Sequence, residues 1–207
     1  INNNQENENN DMKQESEELN LMYTSLESLE RDGLIPSSVE IDKYYDIGKV
    51  KINTKVYDLK YKKVEYENED EYDDDEIVTE HYLAFFENGV EKKSFMISSS
   101  YWIAQYYNEI SIFKNKYLVC VTETNTSDSL QFLYILDENF NNAIDILYVH
   151  QGYENYYSVD DNSITYIYTE HGFEKVTSKI IEKDNKLSIQ EIERTTEGAL
   201  EYAGRVL

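Results

Sequence analysis

Residues 65–76 (EYENEDEYDDDE) hold the chain's densest set of groups that could do chemistry, a run of carboxylates able to ligate a hard cation such as Ca²⁺ through several oxygens. The run lacks the glycine that permits the sharp turn of a calcium loop, and it lacks an alternating D-x-D-x-D-G register. It therefore reads as an exposed connection held open by like-charge repulsion. The acidic turns at 137–139 (Asp-Glu-Asn) and 160–162 (Asp-Asp-Asn) also contain calcium-type ligands. Their side chains are those that tight turns prefer, because they hydrogen-bond the local backbone, and turn chemistry accounts for them. No metal is expected at any of these places.

Other reactive types are sparse. His81, His150 and His171 are far apart and show neither H-E-x-x-H nor H-x-H spacing, so no zinc site is readable. The single cysteine, Cys120, lies in the apolar run Leu118-Val119-Cys120-Val121, where a thiol is buried and inert and has no partner for an internal disulfide. No G-x-S-x-G elbow, G-x-x-x-x-G-K-[ST] loop or G-x-G-x-x-G fingerprint occurs, and seven glycines leave little material for a phosphate cradle. No cofactor is expected. A pair of facing carboxylates could hydrolyse a glycan, but with 42 acidic residues such pairs arise by coincidence.

The 20 tyrosines are more distinctive. They concentrate at Tyr44-Tyr45, at Tyr101-Trp102, at Tyr106-Tyr107 and across 153–157. Amphipathic rings supply contact area and a polar tip at low entropic cost, which suits protein interfaces and sugar stacking. They equally suit half-buried strands. Within 100–107 (SYWIAQYY), the candidate ligand-binding residues are Tyr101, Trp102, Tyr106 and Tyr107, with ordinary packing as the competing reading.

The elements that must position these residues follow from composition and period. The 207 residues are 40% apolar, enough for one sizeable core. Their 19 basic and 42 acidic residues give a formal charge of −23, a field that repels nucleic-acid phosphates and anionic lipid surfaces. No apolar run approaches the roughly 20 residues needed to cross a bilayer. Residues 1–10 have the composition of a flexible polar tether. An export signal or lipid anchor ahead of them is expected, which would place the protein outside the cytoplasm, secreted or anchored to the cell envelope.

Within 11–32, apolar residues at Met12, Leu19, Met22, Leu26 and Leu29 fall on one helical face. Asp32-Gly33 and Pro36 end that pattern, so one amphipathic helix packing on the domain is expected. From 39 to 207 the period shifts toward two. Residues 50–56 alternate as a strand, and the phase then slips through 57–66, which predicts a bulge or a break. Asn88-Gly89 between 82–87 and 90–97 is the strongest hairpin signal, since a type I′ turn needs positive φ at both central residues. Weaker turns are expected at Asn115-Lys116, 137–142, Asp161-Asn162 and Asp184-Asn185, separating strands near 110–113, 117–122, 130–136, 143–149, 164–169, 173–181 and 187–192.

This spacing predicts a mainly β domain, an antiparallel meander that forms a curled sheet, a barrel or a propeller-like stack, with an unclosed curled sheet preferred. Residues 117–149 and 156–192 echo one another only loosely.

Three functions fit these features. The leading one is a non-catalytic extracytoplasmic module that binds a protein, peptide or glycan through an aromatic-rich face, with neither nucleic-acid binding nor membrane insertion. The second is an acidic inhibitor or immunity-type protein that neutralises a basic partner. The third is a carboxylate-based glycan hydrolase.

Overall fold

The computed structural model describes residues 25–69, 77–125, 130–141, 143–149, 157–160 and 162–204. Outside the described residues lie the expected tether at 1–10, residues 11–24 of the expected helix, 70–76 of the acidic run, His150, Asp161, and 153–156 of the last tyrosine cluster.

Of the helix expected over 11–32, the described part is α1 (Leu26–Arg31), six residues long, so the longer amphipathic helix is not supported. Its ends follow from local chemistry. Ser25 and Ser28 form a reciprocal capping box, and Gly33 takes φ +68 just beyond the C-cap Asp32. Leu29, 2% exposed, anchors it in the core.

The described chain is 64% strand. The strands are β1 (Tyr44–Ile52), β2 (Lys55–Glu67), β3 (Ile77–Glu87), β4 (Val90–Ser99), β5 (Gln105–Phe113), β6 (Tyr117–Thr124), β7 (Leu130–Leu136), β8 (Ile144–Val149), β9 (Tyr157–Asp160), β10 (Ser163–Tyr168), β11 (Glu174–Lys183) and β12 (Lys186–Thr195). The last element is α2 (Ala199–Ala203). They form three separate four-stranded antiparallel sheets, in the orders β1-β2-β3-β4, β5-β6-β7-β8 and β12-β11-β10-β9. The antiparallel meander is present, but it neither closes into a barrel nor runs as one curled sheet. The chain changes sheet between β4 and β5 and again between β8 and β9.

The phase slip after 56 has a simple cause. Residues 50–56 are not one strand: β1 ends at Ile52, Asn53 takes φ +52, and β2 begins at Lys55. Along β2 the side chains of Tyr57, Leu59 and Tyr61, each no more than 1% exposed, share the buried face. The intervening Lys60 and Lys62 lie on the other face, pairing with Asp46 at 2.8 Å and Asp42 at 3.3 Å and sitting over the rings of Phe86 and Tyr44. The bulge or break expected within 57–66 is not there: β2 pairs with β3 without a register shift, and the bulge in this hairpin is on β1, between Asp46 and Gly48.

Two hydrophobic clusters hold the three sheets face to face. The first joins Val50, Ile52, Leu59, Leu83, Phe85 and Phe95 of the first sheet to Ile110, Leu118, Cys120 and Leu136 of the second. The other joins Val119, Val121, Leu133, Ile135 and Tyr148 of the second to Ile164, Tyr166, Val176 and Ile180 of the third. The middle sheet is thus apolar on both faces, and residues 117–122 of β6 are buried without alternation. α2 lies against the third sheet's outward face, where the Tyr202 hydroxyl meets the Ser158 hydroxyl at 2.6 Å and donates to the Thr165 carbonyl.

Candidate functional site

The candidate residues 101–107 occupy the passage from the first sheet to the second. Leaving β4, the chain is stapled to β3: the Ser100 amide donates to the Thr79 carbonyl, and the Thr79 amide to Ser100 Oγ, both at 2.9 Å. The turn closes on itself through the Ala104 amide and the Tyr101 carbonyl at 3.1 Å. On the side of β6, Asn125 Nδ2 donates to the carbonyls of Tyr101 at 2.7 Å and Ser99 at 3.2 Å, while the Asn125 amide donates to the Ala104 carbonyl. Ser99 and Ala104, 9% and 7% exposed, seat the two ends of the turn.

That frame does not bring the four candidates together. Trp102 and Ile103 project from the apex, 45% and 43% exposed, although both are large and apolar. Tyr101 is half-buried beside them. Tyr106 and Tyr107 are neighbours on β5 and point to opposite faces. Tyr106 is half-buried, its phenol pKa raised by burial and by the Glu123 carboxylate. Tyr107 packs into the cluster between the first two sheets, edge-on to Phe95 with ring centroids 5.0 Å apart and next to Tyr134 at 6.2 Å. Burial pushes its pKa up to about 12. The accessible part of the aromatic segment is therefore Trp102 with Ile103, a residue the sequence reading left out although it sits in the same apolar triplet.

A second feature is a cavity of about 670 Å³ between the segment after α1 and the first sheet, lined by Glu30, Ile35, Pro36, Tyr61, Lys63 and His81 among others. Tyr61 Oη lies 2.7 Å from His81 Nδ1. Burial, with Glu30 and Tyr45 nearby, pushes the Tyr61 phenol to about 12, so it keeps its proton beside the imidazole. Burial first, and then the Lys63 ammonium, lowers the His81 pKa, against smaller opposing contributions from Glu30 and Glu65. Both effects disfavour the imidazolium relative to a free histidine. Cys120 is fully buried and its thiol pKa is driven far up by burial, which leaves no thiolate for nucleophilic work.

Among the described residues, no three His, Cys, Asp or Glu side chains come together as a set that could hold a metal ion. Asp137 serves its own turn, Oδ1 accepting from the amides of Asn139 and Asn141 at 2.9 and 2.8 Å. No helix among the described residues is long and apolar enough to cross a membrane.

No protein-family model, curated protein or solved structure matches this chain.

Proposed function

We propose that this protein is a non-catalytic binding module, its three sheets arranged as consecutive blades of a propeller-like arc, that recognises a protein, peptide or glycan partner through Trp102 and Ile103. The observation that carries this reading is the pairing of two large exposed apolar side chains with a backbone fixed from both sides. A turn bonded to β3 and to the end of β6 loses little backbone conformational entropy on association. An isolated exposed Ile or Trp is unremarkable on a protein surface, whereas two adjacent ones on a rigid apex make an anchor.

The net charge of −23 selects neutral or cationic partners and disfavours nucleic acid. The polar composition of residues 1–10 supports an exported protein tethered to the cell envelope through that segment. The test is capture of a partner from envelope extract by wild-type protein and by the Trp102→Ala/Ile103→Ser double variant. Loss of the retained partner with an unchanged unfolding midpoint supports the reading, and undiminished capture overturns it. Salt separates an anchor from an acidic inhibitor: contacts of Trp102 and Ile103 survive high ionic strength, whereas neutralisation of a basic partner by exposed carboxylates is screened beyond about 8 Å at physiological salt.

A further inference from the structure

The other end of the sheets holds a different kind of site. Four turns converge there, those between β1 and β2, β5 and β6, β7 and β8, and β11 and β12, so all three sheets contribute. Between them is a cleft of about 400 Å³, within the roughly 300–1,000 Å³ usual for small-ligand sites and large enough for a mono- or disaccharide.

Its frame is fixed. The first sheet is tied to the second by the Thr54 amide and hydroxyl, both donating to Glu138 Oε2 at 2.8 Å, and by the Asn53 amide donating to the Asn115 carbonyl. The second is tied to the third by Lys116 Nζ and Glu182 at 2.8 Å. Phe140, at φ +61, pins the β7–β8 turn with its ring against Tyr57 and Phe85 at centroid distances of 5.0 and 5.2 Å. A cleft whose walls come from three sheets and are already hydrogen-bonded pays little to order itself around a ligand.

The lining selects the ligand. One ammonium, Lys116, faces three carboxylates, Asp137, Glu138 and Glu182, so an anion is repelled. Hydrogen bonds from Thr54 hold the Glu138 carboxyl below its usual range, and the bond to Glu182 raises the Lys116 pKa. The apolar contribution is confined to Leu187 and a Tyr117 ring that is 7% exposed and has the Lys116 ammonium over it, too little for a flat hydrophobic ligand. Asn53, Asn139, Asn141 and Asn185 complete the lining. Amides offer a donor and an acceptor together, carboxylates accept from hydroxyls, and the two mixed on a rigid frame match neighbouring hydroxyl groups of a sugar ring.

We infer that this cleft is a saccharide subsite, taking the hydroxyl-bearing end of a neutral glycan. It lies the length of β5, about 25–30 Å, from the Trp102 turn and stands or falls separately from it.

The experiment is an amide chemical-shift titration with four neutral disaccharides, maltose, cellobiose, lactose and chitobiose, with glycerol and CaCl₂ as control probes. Saturable shifts of Asn139, Asn141 and Asn185 with at least one disaccharide are expected. About tenfold weaker binding is expected in Asn141→Ala and in Asn185→Gly, a loss of one or two hydrogen bonds, and unchanged binding in Trp102→Ala. Glycine is chosen at 185 because Asn185 has φ +57, so the amide is removed without straining the turn. At 141 the turn bonds are made by backbone groups and survive the change. Absence of shifts with all four disaccharides, equal shifts with glycerol, or stoichiometric shifts with CaCl₂ alone would each overturn the assignment.

Discussion

Phe140 links the fold to the cleft, and its replacement tests both the packing and the backbone geometry. The half-buried ring meets Tyr57, Phe85 and Phe95 at centroid distances of 5.0, 5.2 and 6.2 Å. A fully buried Phe→Ala change costs about 3–5 kcal/mol, and partial exposure brings the expected loss for Phe140→Ala to about 2–3 kcal/mol. In a chain of this size that corresponds to a melting temperature lower by about 5–10 °C. The backbone adds a second, sign-determining comparison. At an ordinary position Gly is about 0.5–1 kcal/mol less favourable than Ala, because it loses more freedom on folding. At φ +61 a non-glycine residue carries roughly 1–2 kcal/mol of left-handed strain, so Phe140→Gly should equal Phe140→Ala or exceed it by up to about 1 kcal/mol. Equilibrium urea unfolding of the three proteins measures both quantities. An alanine variant within about 0.5 kcal/mol of wild type would refute the aromatic clamp, and a glycine variant about 1 kcal/mol below alanine would refute the left-handed turn.

Cys120 and His81 provide two further tests. Cys120 should resist a thiol reagent in native buffer and become labelled with the same urea midpoint as global unfolding, since it is fully buried in the middle sheet. Rapid stoichiometric labelling of the native protein would contradict the double-sided burial of β6. For His81 the folded-state pKa lies below the ordinary histidine value of about 6.5, so the unfolded chain binds the extra proton first. Its contribution to stability is complete above about pH 6.5 and is lost as pH falls through the folded value. The urea midpoint of wild type should thus fall more steeply between about pH 7.5 and 5.5 than that of His81→Phe, and parallel profiles would refute the lowered imidazole pKa.

Much of the fold is written in local chemistry. Asn88-Gly89 and Asp184-Asn185 are readable as hairpins because their φ values are positive at both positions, +53 and +76 in the first and +54 and +57 in the second, where Asn, Asp and Gly pay least. The β5–β6 turn was expected one residue late, at Asn115-Lys116, because the structure places a lysine, Lys114, at φ +47 ahead of Asn115. The turn at Asn53 has no period-two signature: Val50, Ile52, Thr54 and Val56 keep an alternation that runs straight through it, and Thr54 is a strand former. The division into three sheets has no local signature. It depends on where the chain goes after Ser99 and after Val149, which periodicity does not encode.

The candidate sites divide in the same way. Trp102 was legible as an aromatic outside any alternating pattern. Period two back from Ile110 and Ile112 puts Tyr106 on the core face of β5, and it is the register shift between Tyr107 and Glu109 that turns Tyr107 there instead, a bulge with no local signature. The cleft is formed by residues near 53, 116, 137–141 and 185, which only the stacking of sheets brings together.

Trp102 is the only tryptophan in the chain, so the proposed binding site carries its own reporter. At 45% exposure its emission in the free protein should be red-shifted and readily quenched by acrylamide. The decisive measurement is tryptophan emission and acrylamide quenching of the protein with and without the partner isolated by capture. A blue shift and protection from quenching that saturate with partner are predicted. Emission and quenching unchanged in a complex shown to have formed would place the interface elsewhere and contradict the assignment of binding to the Trp102 turn.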